Sequence, residues 1–115
     1  WFFSINLFLY EFFFILLGYR GHSIITKNDK KITDTIPCPY FFLYKIFNFI
    51  QYKNISSLID LGCGNGRVLY FFNKKKKIKY TGLEIRPHAY RIAINHFKKD
   101  KNVKIINKDF FKFPL

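Results

Sequence analysis

Methionine is absent from these 115 residues, cysteine occurs twice, and acidic side chains occur only seven times. Because translation starts with methionine, the start at Trp1 leads us to expect a piece of a longer protein. Cys38 and Cys63 are too few for a disulfide framework, and neither has a Cys or His partner at zinc-finger spacing. We therefore expect a reducing environment and no bound metal. The length allows one small domain and excludes two.

The scarcity of acids leaves 20 Lys and Arg against 7 Asp and Glu, a formal net charge of +13. Such a charge permits anionic partners, for example nucleic acid or a phospholipid surface. The same abundance of Lys, Asn, Ile, Phe and Tyr is also what A+T-rich codons encode, so the charge alone assigns no partner. With 50% hydrophobic residues, the chain can bury a core and is not of the disordered class.

Residues 1–20 form the first predicted segment, an apolar helix or membrane-associating stretch. Between Trp1 and Leu17, Glu11 is the one charged side chain. This run is at the lower limit for crossing a bilayer, and Glu11 near its centre would cost roughly 2.5 to 3.5 kcal/mol on insertion. Three interpretations stay open: a helix packed on the protein, a membrane anchor through residues 1–17, and a truncated piece of something longer. In the second, the basic residues that follow would place the remainder in the cytosol.

Residues 21–53 are predicted to contain an irregular lead-in and then a core-packing helix. Pro39 is placed to be the first helical residue, where its missing N–H is harmless. The stretch from Tyr40 to Gln51 follows, with four apolar residues on one face at helical spacing. These residues are Leu43, Ile46, Phe47 and Ile50.

Residues 54–115 alternate short apolar runs with amphipathic stretches in the order β-α-β-α-β. The predicted strands are Ser57–Leu61, Ile78–Glu84 and Val103–Asn107, and the predicted helices are Arg67–Asn73 and Pro87–Lys99. Short connections between such elements imply parallel strands joined by crossovers. The predicted fold class is therefore α/β, the first half of a doubly wound parallel sheet preceded by an apolar N-terminal helix.

Three acids stand at the predicted carboxyl ends of the strands, where open parallel sheets bind ligands. They are Asp60, Glu84 and Asp109. Three glycines of the first loop, Gly62, Gly64 and Gly66, let the backbone approach a ligand closely. An acidic rim of this kind suits a cationic ligand that carries a ribose.

Phosphate-binding alternatives fit this loop poorly. A Walker A loop needs Lys and then Ser or Thr after its last glycine, and here Arg67 and Val68 follow Gly66. A dinucleotide fingerprint needs G-x-G-x-x-G, whereas Arg67 stands where its last glycine would be.

The stretch Leu58–Val68, reading LIDLGCGNGRV, resembles the first motif of the class I S-adenosylmethionine-dependent methyltransferases. Gly82-Leu83-Glu84 resembles their second motif, and Lys108-Asp109-Phe110 is similar to their third. The resemblance covers about residues 54–115. It implies a Rossmann-like fold, S-adenosylmethionine as the cofactor, and the truncated cofactor-binding half of a methyltransferase domain.

The resemblance also implies a role for each position of the motifs. Asp60 would position the ammonium group of the cofactor, Glu84 would accept hydrogen bonds from both ribose hydroxyls, and Asp109 would accept one from the adenine amino group. Gly62, Gly64 and Gly66 would pass their backbone beside the methionine part. Phe110 would line the adenine slot, and Cys63 and Ile85 complete the implied cofactor-binding set.

The function expected from the resemblance is methyl transfer to an unassigned acceptor, which is a protein, a nucleic acid or a small molecule. No catalytic base is identified, and we expect the 115 residues to be inactive alone. We expect a cytoplasmic protein, with membrane association through residues 1–17 left open. The alternative is a membrane-attached protein that binds a nucleoside or cofactor without catalysis.

Overall fold

The computed structural model describes residues 9–13, 16–17, 38–51 and 53–114 of the chain. From residue 38 onward, three strands alternate with three helices and are followed by one 3₁₀ turn. The elements are α1 (Tyr40–Ile50), β1 (Ser57–Leu61), α2 (Arg67–Lys75), β2 (Lys79–Leu83), α3 (Pro87–Phe97), β3 (Val103–Ile106) and the 3₁₀ turn (Phe110–Lys112).

The three strands form one parallel sheet in the order β1-β2-β3. Leu83 near the end of β2 pairs with Leu61 on one side and with Ile106 on the other, so all three strands end at the same rim. The predicted α/β fold class with parallel strands is confirmed. At the edge of the described sheet, Ile59 and Leu61 of β1 are each 46% exposed.

Helix α1 differs in detail from its prediction. It begins at Tyr40, and Pro39 precedes it with φ −59° and ψ 141°, so Pro39 lies outside the helix and its carbonyl accepts the N–H of Leu43. Ile46, predicted on the core face, is 46% exposed, whereas Tyr40 is completely buried. The buried stripe is narrower than predicted because it follows i, i+3, i+7 from Tyr40, which turns Ile46 away from the sheet.

The core lies between the helices and one face of the sheet. Its aromatic centre is Phe71 and Phe72 of α2, whose rings meet edge to face at 5.4 Å, an arrangement that the ring quadrupoles favour. The buried cluster consists of Tyr40, Leu43, Cys63, Leu69, Phe71, Phe72, Tyr80 and Phe97.

Side-chain amides hold together the end of the sheet where the strands begin. Asn102 donates from Nδ2 to Oδ1 of Asn73, which is 5% exposed, and to the carbonyl of Ile78, both at 2.8 Å. The Tyr80 hydroxyl donates to the carbonyl of Lys76 at 2.6 Å. These bonds join the last turn of α2 to the first residues of β2 and β3.

Little of the predicted N-terminal helix lies within the described residues. Residues 9–13 and 16 are helical, and Leu17 donates its N–H to the carbonyl of Phe13. Within the described ranges, no helix combines the length and apolarity that spanning a bilayer requires. The predicted lead-in, up to residue 37, lies outside the described residues, and the division into 1–20, 21–53 and 54–115 stays a prediction.

The substitution Asn102→Ala should lower the free energy of unfolding by about 1 to 3 kcal/mol, because it leaves the buried Asn73 oxygen without a donor. Urea denaturation with a constant m-value measures this loss. The double variant Asn73→Ala, Asn102→Ala should be less destabilised than the sum of the two single variants. Simple additivity would show that the two amides act independently.

Candidate functional site

The loop after β1 is bound to the end of β2 by its backbone. The N–H groups of Gly62 and Cys63 both donate to the carbonyl of Leu83, at 2.9 and 2.8 Å. Gly62, Gly64 and Gly66 have φ of 86°, 54° and 89°, in the left-handed region that side chains with a Cβ avoid. The three glycines are therefore required by the path of the loop.

Two of the glycines differ in what surrounds them. A Cβ on Gly66 would lie 2.5 Å from Cε2 of Phe97, whereas a Cβ on Gly62 would meet no atom within 4 Å. Gly66 thus allows α2 to approach α3, and Gly62 borders open space at the rim. The sequence does not distinguish these two roles.

Glu84 directly follows β2, and its side chain is 3% exposed. Oε2 accepts the backbone N–H of Gly64 at 2.8 Å, and Oε1 accepts that of Arg86 at 2.7 Å. Burying a carboxylate is costly unless hydrogen bonds satisfy it. Glu84 therefore fixes the glycine loop against the end of β2.

Arg86 adds a longer contact to the same carboxylate, from Nε to Oε1 at 3.3 Å. Glu84 thus accepts three donors, and an ionised carboxylate offers about four acceptor positions. By this count, one acceptor position is left for a further donor. A second ribose hydroxyl would have to replace the Arg86 Nε.

Asp60 on β1 is the other acid close to this loop. Its Oδ2 is buried and has no hydrogen-bond partner. Burial, and secondarily the charge of Glu84, raises the pKa of Asp60 to about 6. A cation or a hydrogen-bond donor placed beside Oδ2 would relieve both effects, so Asp60 is electrostatically prepared for a positively charged ligand.

The end of β3 supplies the third predicted acid, Asp109, but in a different setting. Its Oδ1 accepts the N–H of Phe111 at 3.0 Å and thereby caps the 3₁₀ turn. Asn107 donates from Nδ2 to the carbonyl of Glu84 at 2.8 Å, which brings this segment to the rim. The role of Asp109 towards adenine stays a prediction.

Three further predicted residues divide into exposed and buried. Ile85 and Phe110 are 46% and 40% exposed, and the Phe110 ring lies 4.2 Å from that of Phe111. Cys63 is 6% exposed, and a Cβ on Gly82 would lie 2.7 Å from its Sγ. Burial, followed by the charges of Asp60 and Glu84, raises the pKa of the Cys63 thiol to about 12. The Cys63 side chain packs in the core, so any contact with a ligand falls to its backbone.

Glu11 is a residue that the sequence analysis did not assign to the site. Its Oε2 accepts Arg67 Nη1 at 2.8 Å, and its Oε1 accepts the backbone N–H of Tyr40. Arg67 therefore forms a salt bridge. Its side chain is only 12% exposed, and its guanidinium carbon lies 4.4 Å from the centroid of the Tyr40 ring. The N-terminal segment is thus tied to the residue that follows the glycine loop.

Cys38 lies in the same surroundings. Burial raises the pKa of its thiol, Arg67 opposes that shift, and Asp60 and Glu11 add to it. Cys38, two residues before α1, therefore stands within electrostatic range of the rim acid Asp60. Glu11 and Arg67 are 56 residues apart, so no local sequence pattern could have predicted their salt bridge.

Within the described ranges, no group of three His, Cys, Asp or Glu side chains could hold a metal.

The parallel sheet with its glycine loop has the Rossmann-like methyltransferase fold, as the comparisons with known proteins show. A family described as a methyltransferase domain matches residues 58–115, half of the chain. The chain belongs to this family, and the predicted resemblance is confirmed. A comparison with curated proteins gave no match.

Solved structures show the same fold. An RNA methyltransferase from Salinibacter ruber in complex with S-adenosyl-L-homocysteine is 22% identical with a TM-score of 0.61, covering 68% of this chain and 53% of that one. The MccD protein is 27% identical with a TM-score of 0.55, covering 63% of this chain and 34% of that one. A geranyl diphosphate methyltransferase in complex with GPP and sinefungin is 13% identical with a TM-score of 0.59. The match covers 67% of this chain and 30% of that one. The chain spans about half of the first structure and about a third of the others.

The substitution Gly66→Ala should destabilise the protein more than Gly62→Ala. Both variants place a Cβ at positive φ, at about 1 to 2 kcal/mol, but only Gly66→Ala also forces Phe97 to move, at about 1 to 3 kcal/mol more. Chemical denaturation of the two variants side by side measures the difference. Equal losses would show that the ring of Phe97 yields without cost.

The substitution Asp60→Asn should change how stability depends on pH. The native pKa, about 6, lies above the unfolded value of 3.8, so the native state binds this proton more tightly. The contribution to stability is complete below the unfolded pKa and is lost as the pH rises through about 6. Urea midpoints from about pH 4 to pH 8 should therefore fall more for the wild type than for Asp60→Asn. Parallel curves would contradict the shift.

Proposed function

We propose that the rim binds S-adenosylmethionine and that the chain is the cofactor-binding part of a methyltransferase. The observation that carries this proposal is the buried, unpartnered Oδ2 of Asp60 beside the ionisable Glu84. Glu84 has Arg86 beside it, but Asp60 Oδ2 has no donor, and the ammonium group of a sulfonium amino acid would supply one. The complexes of the similar structures with S-adenosyl-L-homocysteine and sinefungin support the same ligand class.

The residues present fit this cofactor. Asp60 would receive its ammonium group, and Gly62, which faces open space, would let its amino-acid part approach the backbone. Glu84 would accept from the ribose, with Arg86 Nε giving way to the second hydroxyl. The exposed side chains of Ile85 and Phe110 would border adenine, and Asp109 would accept from its amino group.

The bound cofactor supplies an electrophilic methyl group, and the protein contributes alignment. Because displacement at this methyl is in line, positioning accounts for much of the rate. Glu84 holds the loop before any ligand arrives, so little loop ordering remains to be done on binding. No described residue is assigned as a base, and the methyl acceptor stays open among protein, nucleic acid and small molecule.

The alternative of a binding protein without catalysis is not favoured, since the matched family is one of methyltransferase domains. Catalytic inactivity of these 115 residues alone stays a prediction. A methyl-transfer assay that shows turnover by the isolated chain would contradict it.

Calorimetry with the full chain should show binding of S-adenosylmethionine and S-adenosylhomocysteine and no binding of NADH or ATP. Asp60→Asn should weaken the binding of S-adenosylmethionine by about 10-fold or more, since a charge-assisted hydrogen bond contributes roughly 1.5 to 3 kcal/mol. Adenosine, which lacks the ammonium group, serves as the matched ligand and should bind wild type and variant alike. An equal loss for both ligands would remove Asp60 from the ammonium site, and binding of NADH alone would refute the cofactor.

A further inference from the structure

Nine exposed lysines lie at the end of the sheet opposite to the candidate site. This end is formed by the first residues of the strands, the last turns of the helices and the loops between them. We call it the lysine surface, defined by Lys53, Lys74, Lys75, Lys76, Lys77, Lys79, Lys98, Lys99 and Lys101.

The segments that carry these lysines are held together by the fold. Asn102, next to Lys101, bonds to Asn73, which directly precedes Lys74. The N–H of Lys79 donates to the carbonyl of Ser56 at 3.2 Å, which joins the start of β2 to the start of β1. The lysine surface is therefore one region built from three separate stretches of sequence.

Charge is divided unevenly between the two ends of the sheet. Among the residues that the structure describes, Asp100 is the one acid that lies among the lysines. At the rim the charges balance, with Glu11, Asp60, Glu84 and Asp109 against Arg67, Arg86, Lys108 and Lys112. A+T-rich codons explain how many lysines the chain has, but they do not explain this separation.

Helix dipoles explain only part of the placement. Lys74 and Lys75 lie in the last turn of α2, where positive charge is favoured. Lys77, Lys79 and Lys101 lie outside the helices. Like charges gathered in one region repel each other, so the arrangement costs stability unless an anion meets it.

We infer that the lysine surface binds a single-stranded nucleic acid through its phosphates. Phe49, in the last turn of α1, is 71% exposed, and Lys53 Nζ lies 5.6 Å from its ring centroid. An exposed aromatic ring within a basic surface is the arrangement on which bases stack while lysines follow the backbone.

A lipid surface would select the other end of the molecule. Membrane-surface binding needs apolar side chains to insert as well as basic charge. Exposed apolar side chains are concentrated in the N-terminal segment, where Phe13 is 55% and Leu16 69% exposed. Glu11 ties that segment to Arg67 at the rim, away from the lysine surface.

The test compares two variants of equal net charge. The surface variant is Lys77→Gln, Lys79→Gln, Lys99→Gln and Lys101→Gln, and the control is Lys45→Gln, Arg91→Gln, Lys108→Gln and Lys112→Gln, all at exposed positions. Binding to a fluorescent single-stranded RNA of about 16 nucleotides is measured by anisotropy from about 50 to 200 mM salt. The surface variant should bind about tenfold or more weakly with a salt slope smaller by about 3, since each lost phosphate contact removes about 0.7. The control should lose at most a few-fold.

Two further measurements keep the result interpretable. Replacing the same four lysines by Arg should preserve RNA binding, and the surface variant should keep its affinity for S-adenosylmethionine, which shows an intact fold. Equal losses of RNA affinity in both variants would show that net charge alone, and not the lysine surface, causes binding. Absence of RNA binding by the wild type at low salt would also refute the inference. Tighter, surface-dependent binding to phosphatidylserine vesicles than to RNA would overturn it in favour of lipid.

Discussion

The buried carboxylate of Glu84 is the constraint on which the site depends. Its two oxygens accept the N–H groups of Gly64 and Arg86, so the loop after β1 and the turn after β2 share one acceptor. A carboxylate buried at this depth without hydrogen-bond donors would cost several kcal/mol of folding free energy. The conformation of the loop and the buried carboxylate of Glu84 therefore require each other. The positive φ of Gly64 belongs to the loop conformation that delivers its N–H, so glycine and acid depend on each other.

The neighbouring carboxylates of Glu84 and Asp60 therefore have different roles. Glu84 is satisfied by the protein itself, whereas Asp60 Oδ2 has no partner and its pKa is raised to about 6. A diphosphate brought to this rim would add negative charge beside a group that is already disfavoured as an anion, and a cationic ligand would do the reverse. The residues after Gly66 and the electrostatics of Asp60 thus both disfavour a phosphate cofactor, for independent reasons.

Local patterns were sufficient to predict β1 to the residue, the alternation of elements and the rim position of the acids. They could not distinguish Gly62 from Gly66, because the difference is the ring of Phe97, which arrives from another helix. Glu11 was read only as an obstacle to membrane insertion, since its partner Arg67 lies 56 residues away. What escaped prediction was tertiary contact, and for Glu11 this contact joins an apparently separate segment to the cofactor loop.

The charge of +13 raises the question of why Asp60 is not stabilised as an anion. β2 has five residues, which at about 3.3 Å per residue separates the lysine surface from the rim by about 16 Å. That separation exceeds the Debye length of roughly 8 to 10 Å at physiological salt, so the potential of the lysines is largely screened at the rim. Burial and Glu84 then govern Asp60, as its raised pKa indicates. The two ends of one short sheet can consequently present different electrostatic environments, one suited to a phosphate backbone and the other, at the unpartnered oxygen of Asp60, to a cation.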